Sequence, residues 1–189
     1  MINKLTSGGE ITMHKYIIMT LIGTDRVGIV DRVTKRVLEH HGNIEESKMA
    51  RLSGEFVMLL LISVPAPQTE KIKSSLADLK NEGFHIFLKE TKTGRTADYE
   101  GSLPYRLIVS GADHEGIINP ITHFLAEKNI NIESMDTSTS AAPMSGTLLF
   151  TMNAIIIVPS ELSYHTWSDH LTEIADSMNV NIDISPYTG

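Results

Sequence analysis

Apolar residues run without a break from Tyr16 to Ile22 and stop at Gly23, the pattern of a strand buried on at least one face. After Asp25 the spacing changes to three and four. Ile29, Val33 and Val37, with Val30 and Leu38 beside them, form one helical stripe, and His41-Gly42 should close the helix with the glycine in a left-handed cap. Ile44 to Leu52 reads as a weaker, mixed strand that Ser53-Gly54-Glu55 turns back into the apolar run Phe56 to Val64. Pro65 and Pro67 break that run. Ile72, Leu76 and Leu79 then mark a second amphipathic helix, Gly83 ends it, and Phe84 to Leu88 alternates as a last strand. The predicted order is βαββαβ.

Residues 92 to 103 carry turn formers and charges without period and read as a connector, after which the pattern restarts. Tyr105 to Ser110 is a strand, and Ile117, Ile121, Phe124 and Leu125 stripe a helix. Ile132 to Thr139 pairs with Thr147 to Val158. Trp167, Leu171, Ile174 and Met178 stripe the last helix before the strand Val180 to Ser185. The second hairpin loop, Ser140 to Gly146, is longer than its counterpart, and an enlarged loop on a repeated scaffold is a place for a partner contact.

The restart is a true repeat. Gly23-Thr24-Asp25-Arg26-Val27-Gly28-Ile29-Val30 returns 88 residues later as Gly111-Ala112-Asp113-His114-Glu115-Gly116-Ile117-Ile118, and Asn43-Ile44-Glu45 returns at the same offset as Asn131-Ile132-Glu133. The predicted organisation is an N-terminal tail over 1–14, in which Met13 offers an alternative start, one unit over 15–91, a linker over 92–103 and a second unit over 104–189. Each unit is an α+β, ferredoxin-like split βαβ arrangement with both helices on one face of a four-stranded antiparallel sheet. The other face or an edge strand must be covered, so a homo-oligomer is expected.

The formal charge of −7 offers no general attraction to phosphate backbones or anionic membranes, and direct nucleic-acid or membrane binding is not expected. Without cysteine the chain forms no disulfide, thiolate metal site or cysteine nucleophile, in keeping with a cytoplasmic protein. The run Tyr16 to Ile22 is too short to span a bilayer.

Chemistry concentrates where the first strand of each unit turns into its helix. Backbone N–H groups without intrahelical partners, together with the helix dipole, hold a carboxylate there without a lysine, and Gly28 lets a ligand approach the backbone. Asp25 is also a natural N-cap. The eight histidines show no H-x-x-x-H or H-E-x-x-H spacing, so neither metal nor cofactor is expected; surface and helix-end roles suit them. The strand methionines Met49, Met58, Met135 and Met152 suit core filling, and Lys35-Arg36 a solvated helix face.

On the βαββαβ order, the turn Asp25-Arg26-Val27-Gly28-Ile29-Val30 and the strand start Gly42-Asn43-Ile44-Glu45, the chain resembles the ACT domain, a small amino-acid-binding regulatory module. Two such units without a catalytic domain most resemble the glycine cleavage system transcriptional repressor family, over residues 16 to 186. That resemblance implies a non-enzymatic, amino-acid-responsive protein, with glycine or serine as ligand, acting through a protein partner such as a DNA-binding activator. It also implies that the turn of one unit meets the second-strand start of a neighbouring one, so that Asp25, Arg26, Val27, Gly28 and Ile29 would be completed by Asn131, and Asp113, His114, Glu115, Gly116 and Ile117 by Asn43. A side-chain amide both donates to a carboxylate and accepts from an ammonium, which suits a zwitterion.

The family's common proline before the glycine is Val27 in the first copy and Glu115 in the second, and Glu115 sets an anion where a ligand carboxylate would lie. The first turn is therefore the better candidate. Three other readings compete: an adaptor whose ligand sites have decayed, a small enzyme, and an RNA-binding module. The enzyme reading lacks a phosphate loop, a nucleophile elbow or an evident base beside Glu45 and Glu46. RNA recognition asks for stacking aromatics and a basic sheet face, which the runs at 56–59 and 149–152 do not supply.

Overall fold

The computed structural model describes residues 4–5, 11–92 and 101–188, and the chain divides into two compact units, Met1–Arg95 and Thr96–Gly189. The expected linker falls largely outside the described residues, as does much of the expected tail. The described parts of that tail, β1 (Lys4–Leu5) and β2 (Ile11–Thr12), pair antiparallel.

The first unit runs β3 (His14–Thr24), α1 (Ile29–Glu39), β4 (Asn43–Leu52), β5 (Glu55–Pro65), α2 (Thr69–Ala77) and β6 (His85–Thr91). Its antiparallel sheet has the order β4-β5-β3-β6. The second unit runs β7 (Leu103–Ala112), α3 (Ile118–Glu127), β8 (Asn131–Ala141), β9 (Leu148–Val158), α4 (Tyr164–Ser177) and β10 (Val180–Pro186), with the order β8-β9-β7-β10. Both are ferredoxin-like α+β units, as the periodicity predicts.

Strand alternation builds each core. Ile17, Met19 and Leu21 of β3 are fully buried, as are Met58 and Ile62 of β5, against Val33 and Val37 of α1 and Ile72 and Leu76 of α2. Both helices therefore cover the same sheet face. In the second unit Leu107, Val109, Met152 and Ile156 meet Ile121, Leu125 and Leu171, with Trp167 standing edge-on to Tyr105 at 5.1 Å. Ser53 (φ 49°) and Gly54 (φ 90°) form a two-residue loop of the I′ type between Leu52 and Glu55, its twist matching the strands it joins.

Several expectations need correction. Val30 and Leu38 lie on the exposed side of α1, because a helix packed on a flat sheet buries only the single row Ile29, Val33 and Val37. The left-handed residue closing α1 is His41 (φ 56°), not Gly42. His41 N–H donates to Leu38 O and Gly42 N–H to Val37 O, each at 2.9 Å, a Schellman closure that α3 repeats through Asn129 and Ile130. Glycine at 42 is steric instead, since a Cβ there would lie 3.1 Å from Val37 O and 3.3 Å from Ser63 O. On α4, Ala175 takes the inner place in the row from Trp167 and Leu171, leaving Ile174 and Met178 at the edge of the core. Met58 and Met152 fill cores, whereas Met49 and Met135 are exposed. Arg36 is part of a buried-edge network, described below, rather than a solvated face.

Candidate functional site

The turn after β3 is pinned from the hairpin side. Asp25 N–H donates to Gly54 O at 2.9 Å, and the Asp25 carboxylate accepts Arg51 Nε at 3.2 Å. Gly28 then takes φ 93° and α1 begins, its Arg32 N–H donating to Gly28 O. The N–H groups of Ile29, Val30 and Asp31 precede that bond and have no carbonyl in the helix to meet, which leaves partial positive charge at the turn. Nothing lies within 4 Å of where a Gly28 side chain would begin, and Gly116 (φ 89°) repeats both features. The N-cap expected of Asp25 is absent: Gly28 holds that position, no side chain caps α1, and Asp25 is drawn back to Arg51.

The glycine that opens each repeat has a different cause. A Cβ at Gly23 would stand 2.6 Å from the Phe84 ring, and one at Gly111 would stand 2.8 Å from Val180, so each strand end packs closely on the start of the last strand's segment.

The second residue of each turn reaches across the unit. Arg26 Nη2 donates to Glu82 O at 2.9 Å while its guanidinium lies over the Phe84 ring, 4.6 Å from the centroid. The Glu82 carboxylate also gathers Arg32 and Arg36, and Arg36 further donates to Ser75 O. In the second unit His114 Nε2 lies 3.0 Å from Met178 O, and its Nδ1 lies 3.0 Å from Glu115 O. Glu82 and Met178 are equivalent, each preceding a left-handed residue, Gly83 (φ 91°) and Asn179 (φ 54°). The Glu115 carbonyl, then the Met178 carbonyl and the Asp113 charge, raise the His114 pKa above its ordinary value.

The repeated Asn-Ile-Glu has a structural meaning that its sequence does not announce. The β4–β5 register slips between Ile44 and Glu46, and the β8–β9 register slips between Ile132 and Ser134, making Glu45 and Glu133 the extra residues of matched β-bulges. Glu45 Oε1 accepts from Asn43 Nδ2 at 3.1 Å and from the buried Ser63 hydroxyl. Opposite Asn131 stands Ile157, so Glu133 has no equivalent hydroxyl there.

Register places turn and bulge far apart within a unit. Thr24, Glu55 and Leu52 share one end of the first sheet, and Tyr16, Ser63 and Asn43 share the other. From Tyr16 to Thr24 the strand spans about 26 Å at 3.3 Å per residue. The second unit repeats this with Ala112 and Leu149 at one end and Asn131 and Ile157 at the other. No single unit brings its own asparagine to its own turn. Of the remaining predicted residues, Ile29 and Ile117 are sunk in the cores and offer only backbone, whereas Val27 and Glu115 stand exposed at the tips.

The two turns differ in charge. Arg51 balances Asp25, but the equivalent strand position holds Thr139, facing Phe150 as Arg51 faces Phe56. Among the described residues the second turn thus sets Asp113 and Glu115 beside His114, without an arginine at the place of Arg51. Arg51, Glu82, Ser63 and the Met178 carbonyl are site neighbours that local sequence reading misses, because each comes from a distant strand or helix end.

Among the described residues no group of three or more His, Asp or Glu is placed to hold a metal, and no helix is long and apolar enough to cross a membrane. The outward faces of the central strands β3 and β5 carry Ile18, Thr20, Leu59 and Leu61, with the half-buried Tyr16 on the same face of β3.

An ACT-domain family model matches residues 15–88. The chain is 28% identical over 134 residues to the glycine cleavage system transcriptional repressor of Escherichia coli strain K12, covering 70% of this chain and 69% of that one. Among solved structures, an unknown protein from Galdieria sulphuraria superposes with a TM-score of 0.82 at 31% identity, over 93% of this chain and 100% of that one. A proposed glycine cleavage system transcriptional repressor superposes at 0.68 over 94% of this chain and 100% of that one; at 20% identity it speaks to the fold alone.

Proposed function

We propose that this chain, a tandem ACT-domain protein similar to the glycine cleavage system transcriptional repressor, is a non-enzymatic regulator that senses a small amino acid and acts on a protein partner. The ligand, glycine or serine, is held through its carboxylate by the N–H groups that follow Gly28, with Asn131 of a neighbouring ACT unit completing the grip. The partner is a protein such as a DNA-binding activator, and the setting is cytoplasmic.

One observation carries the reading: Gly28 at φ 93° opens a helix start over empty space, with its neighbouring aspartate already neutralised by Arg51. A carboxylate there meets unpaired N–H groups without meeting an unbalanced anion. The distance from turn to bulge explains why a second unit is needed. The second turn, with Glu115 at its tip, is the weaker site. Binding energy is limited, since glycine's five heavy atoms at a ceiling of about 1.5 kcal/mol each give about 7.5 kcal/mol, hence micromolar affinity or weaker. Such a ligand still shifts a partner equilibrium by about 1 to 3 kcal/mol.

Calorimetric titration of the purified chain with a panel of amino acids, glycine and serine first, tests this. A saturable heat with one of them is the expected result. No heat with any member of the panel would favour the adaptor reading, in which the folds persist and the ligand sites have decayed.

A further inference from the structure

The two sheets present very different outer faces. Counting along equivalent register positions, Ile18, Ile22, Leu59 and Phe87 of the first unit become Arg106, Ser110, Asn153 and Asp183 in the second. The scaffold is the same, so folding does not demand these apolar residues. Three of them are also wet, Ile22 being 41%, Leu59 44% and Phe87 61% exposed, and Ile18 is half-buried among them. A face apolar at these four positions in one copy and polar there in the other, where Ile108 and Ile155 stand apolar at the places of Thr20 and Leu61, marks an interaction surface.

The face is complementary to itself. One row across it reads Lys89, Ile18, Leu61, Glu46, and the next reads Phe87, Thr20, Leu59, Lys48. Lys89 and Glu46 are both exposed, at opposite edges of the sheet. A two-fold axis parallel to the strands, lying between β3 and β5, sets each row against its own reverse. Lys89 then meets Glu46, Ile18 meets Leu61, and Phe87 meets Lys48. The protruding Phe87 ring faces a hollow of about 190 Å³ lined by Ile18, Glu46, Lys48, Leu59 and Leu61. Such stacking matches the aligned packing of two sheets about 10 Å apart, with Lys48 over an aromatic face.

From this geometry we infer that the outer sheet face of the first unit is the isologous interface of a homodimer, its occupant the same face of a second copy of the chain. The inference is independent of any amino-acid ligand, because its readout is mass alone.

Light scattering coupled to gel filtration of the full chain, at tens of micromolar, tests it with three variants. The wild type is expected to elute as two 20.9-kDa chains. Leu59→Glu should elute as one chain with unchanged circular dichroism. Lys89→Glu, altering only an exposed edge charge, should weaken the dimer at least tenfold, and Lys89→Glu combined with Glu46→Lys should restore it. A monomeric wild type, or a Lys89→Glu variant that dimerises as well as the wild type, would overturn the proposal. So would a folded Leu59→Glu variant that keeps the dimer mass, since it would place the contact elsewhere.

Discussion

The Nε2 atom of His114 lies 3.0 Å from the carbonyl oxygen of Met178, while Nδ1 of the same ring faces the Glu115 carbonyl at 3.0 Å. Carbonyl oxygens only accept, so both contacts are hydrogen bonds only when both ring nitrogens carry protons. The imidazolium is thus the form that suits the turn. With the folded pKa raised above its ordinary 6.5, the stabilisation is fully present below that value and is lost as pH rises through the folded pKa. The stability gap between the wild type and His114→Ala should therefore narrow as pH rises above 6.5. Urea unfolding at several pH values, with the single tryptophan, Trp167, as reporter, checks this; a gap that widens with pH would contradict it.

Gly23 and Gly28 are predicted to fail for different reasons. Gly23→Ala drives a methyl into the Phe84 ring and should cost about 1 to 3 kcal/mol. Much of that loss should return in a Phe84→Leu background. Gly28→Ala meets no neighbour, so its cost is the left-handed backbone alone, about 1 to 2 kcal/mol, and Phe84→Leu should not relieve it. Chemical denaturation of the two double-mutant cycles separates the mechanisms.

The closure of α1 offers a reversed pair. His41→Gly relieves a left-handed non-glycine residue and should stabilise by about 0.5 to 1 kcal/mol. Gly42→Ala presses on two carbonyl oxygens and should destabilise by at least as much. Thermal melts giving the opposite order would return the left-handed position to Gly42.

These pairs show which parts of the fold were legible in the chain. Local rules sufficed where a residue's role depends on its immediate neighbours: the row Ile29, Val33, Val37, the Ser53-Gly54 turn, and the left-handed Gly83 were all readable from spacing and turn chemistry. The bulges were visible only as a repeated Asn-Ile-Glu, because two-residue periodicity gives no sign that the strand register slips at the glutamate. Arg26 on Glu82 and Arg51 on Asp25 were beyond reach, since 56 residues separate the first pair and only the sheet register brings the second together. The run Tyr16 to Ile22 likewise hid that Ile18 and Ile22 face outward, because an unbroken apolar strand does not say which of its faces has cover.

If the first turn holds the ligand, Arg51→Ala should weaken glycine or serine binding about fivefold, roughly 1 kcal/mol, by leaving Asp25 unbalanced beside the ligand carboxylate. The effect should shrink as salt is added. The conservative Arg51→Lys should recover most of the affinity, and calorimetry on the three proteins decides. Equal affinities would remove Asp25 and its partner from the site.

The central claim is that main-chain N–H groups at a left-handed turn grip a small zwitterion, and amide NMR reads those groups directly. Titrating glycine, then serine, into the ¹⁵N-labelled chain should move the Gly28, Ile29 and Val30 backbone resonances together with the Asn131 side-chain amide, all along one saturating curve. Resonances that stay still, or drift in proportion to concentration without saturating, would contradict the account.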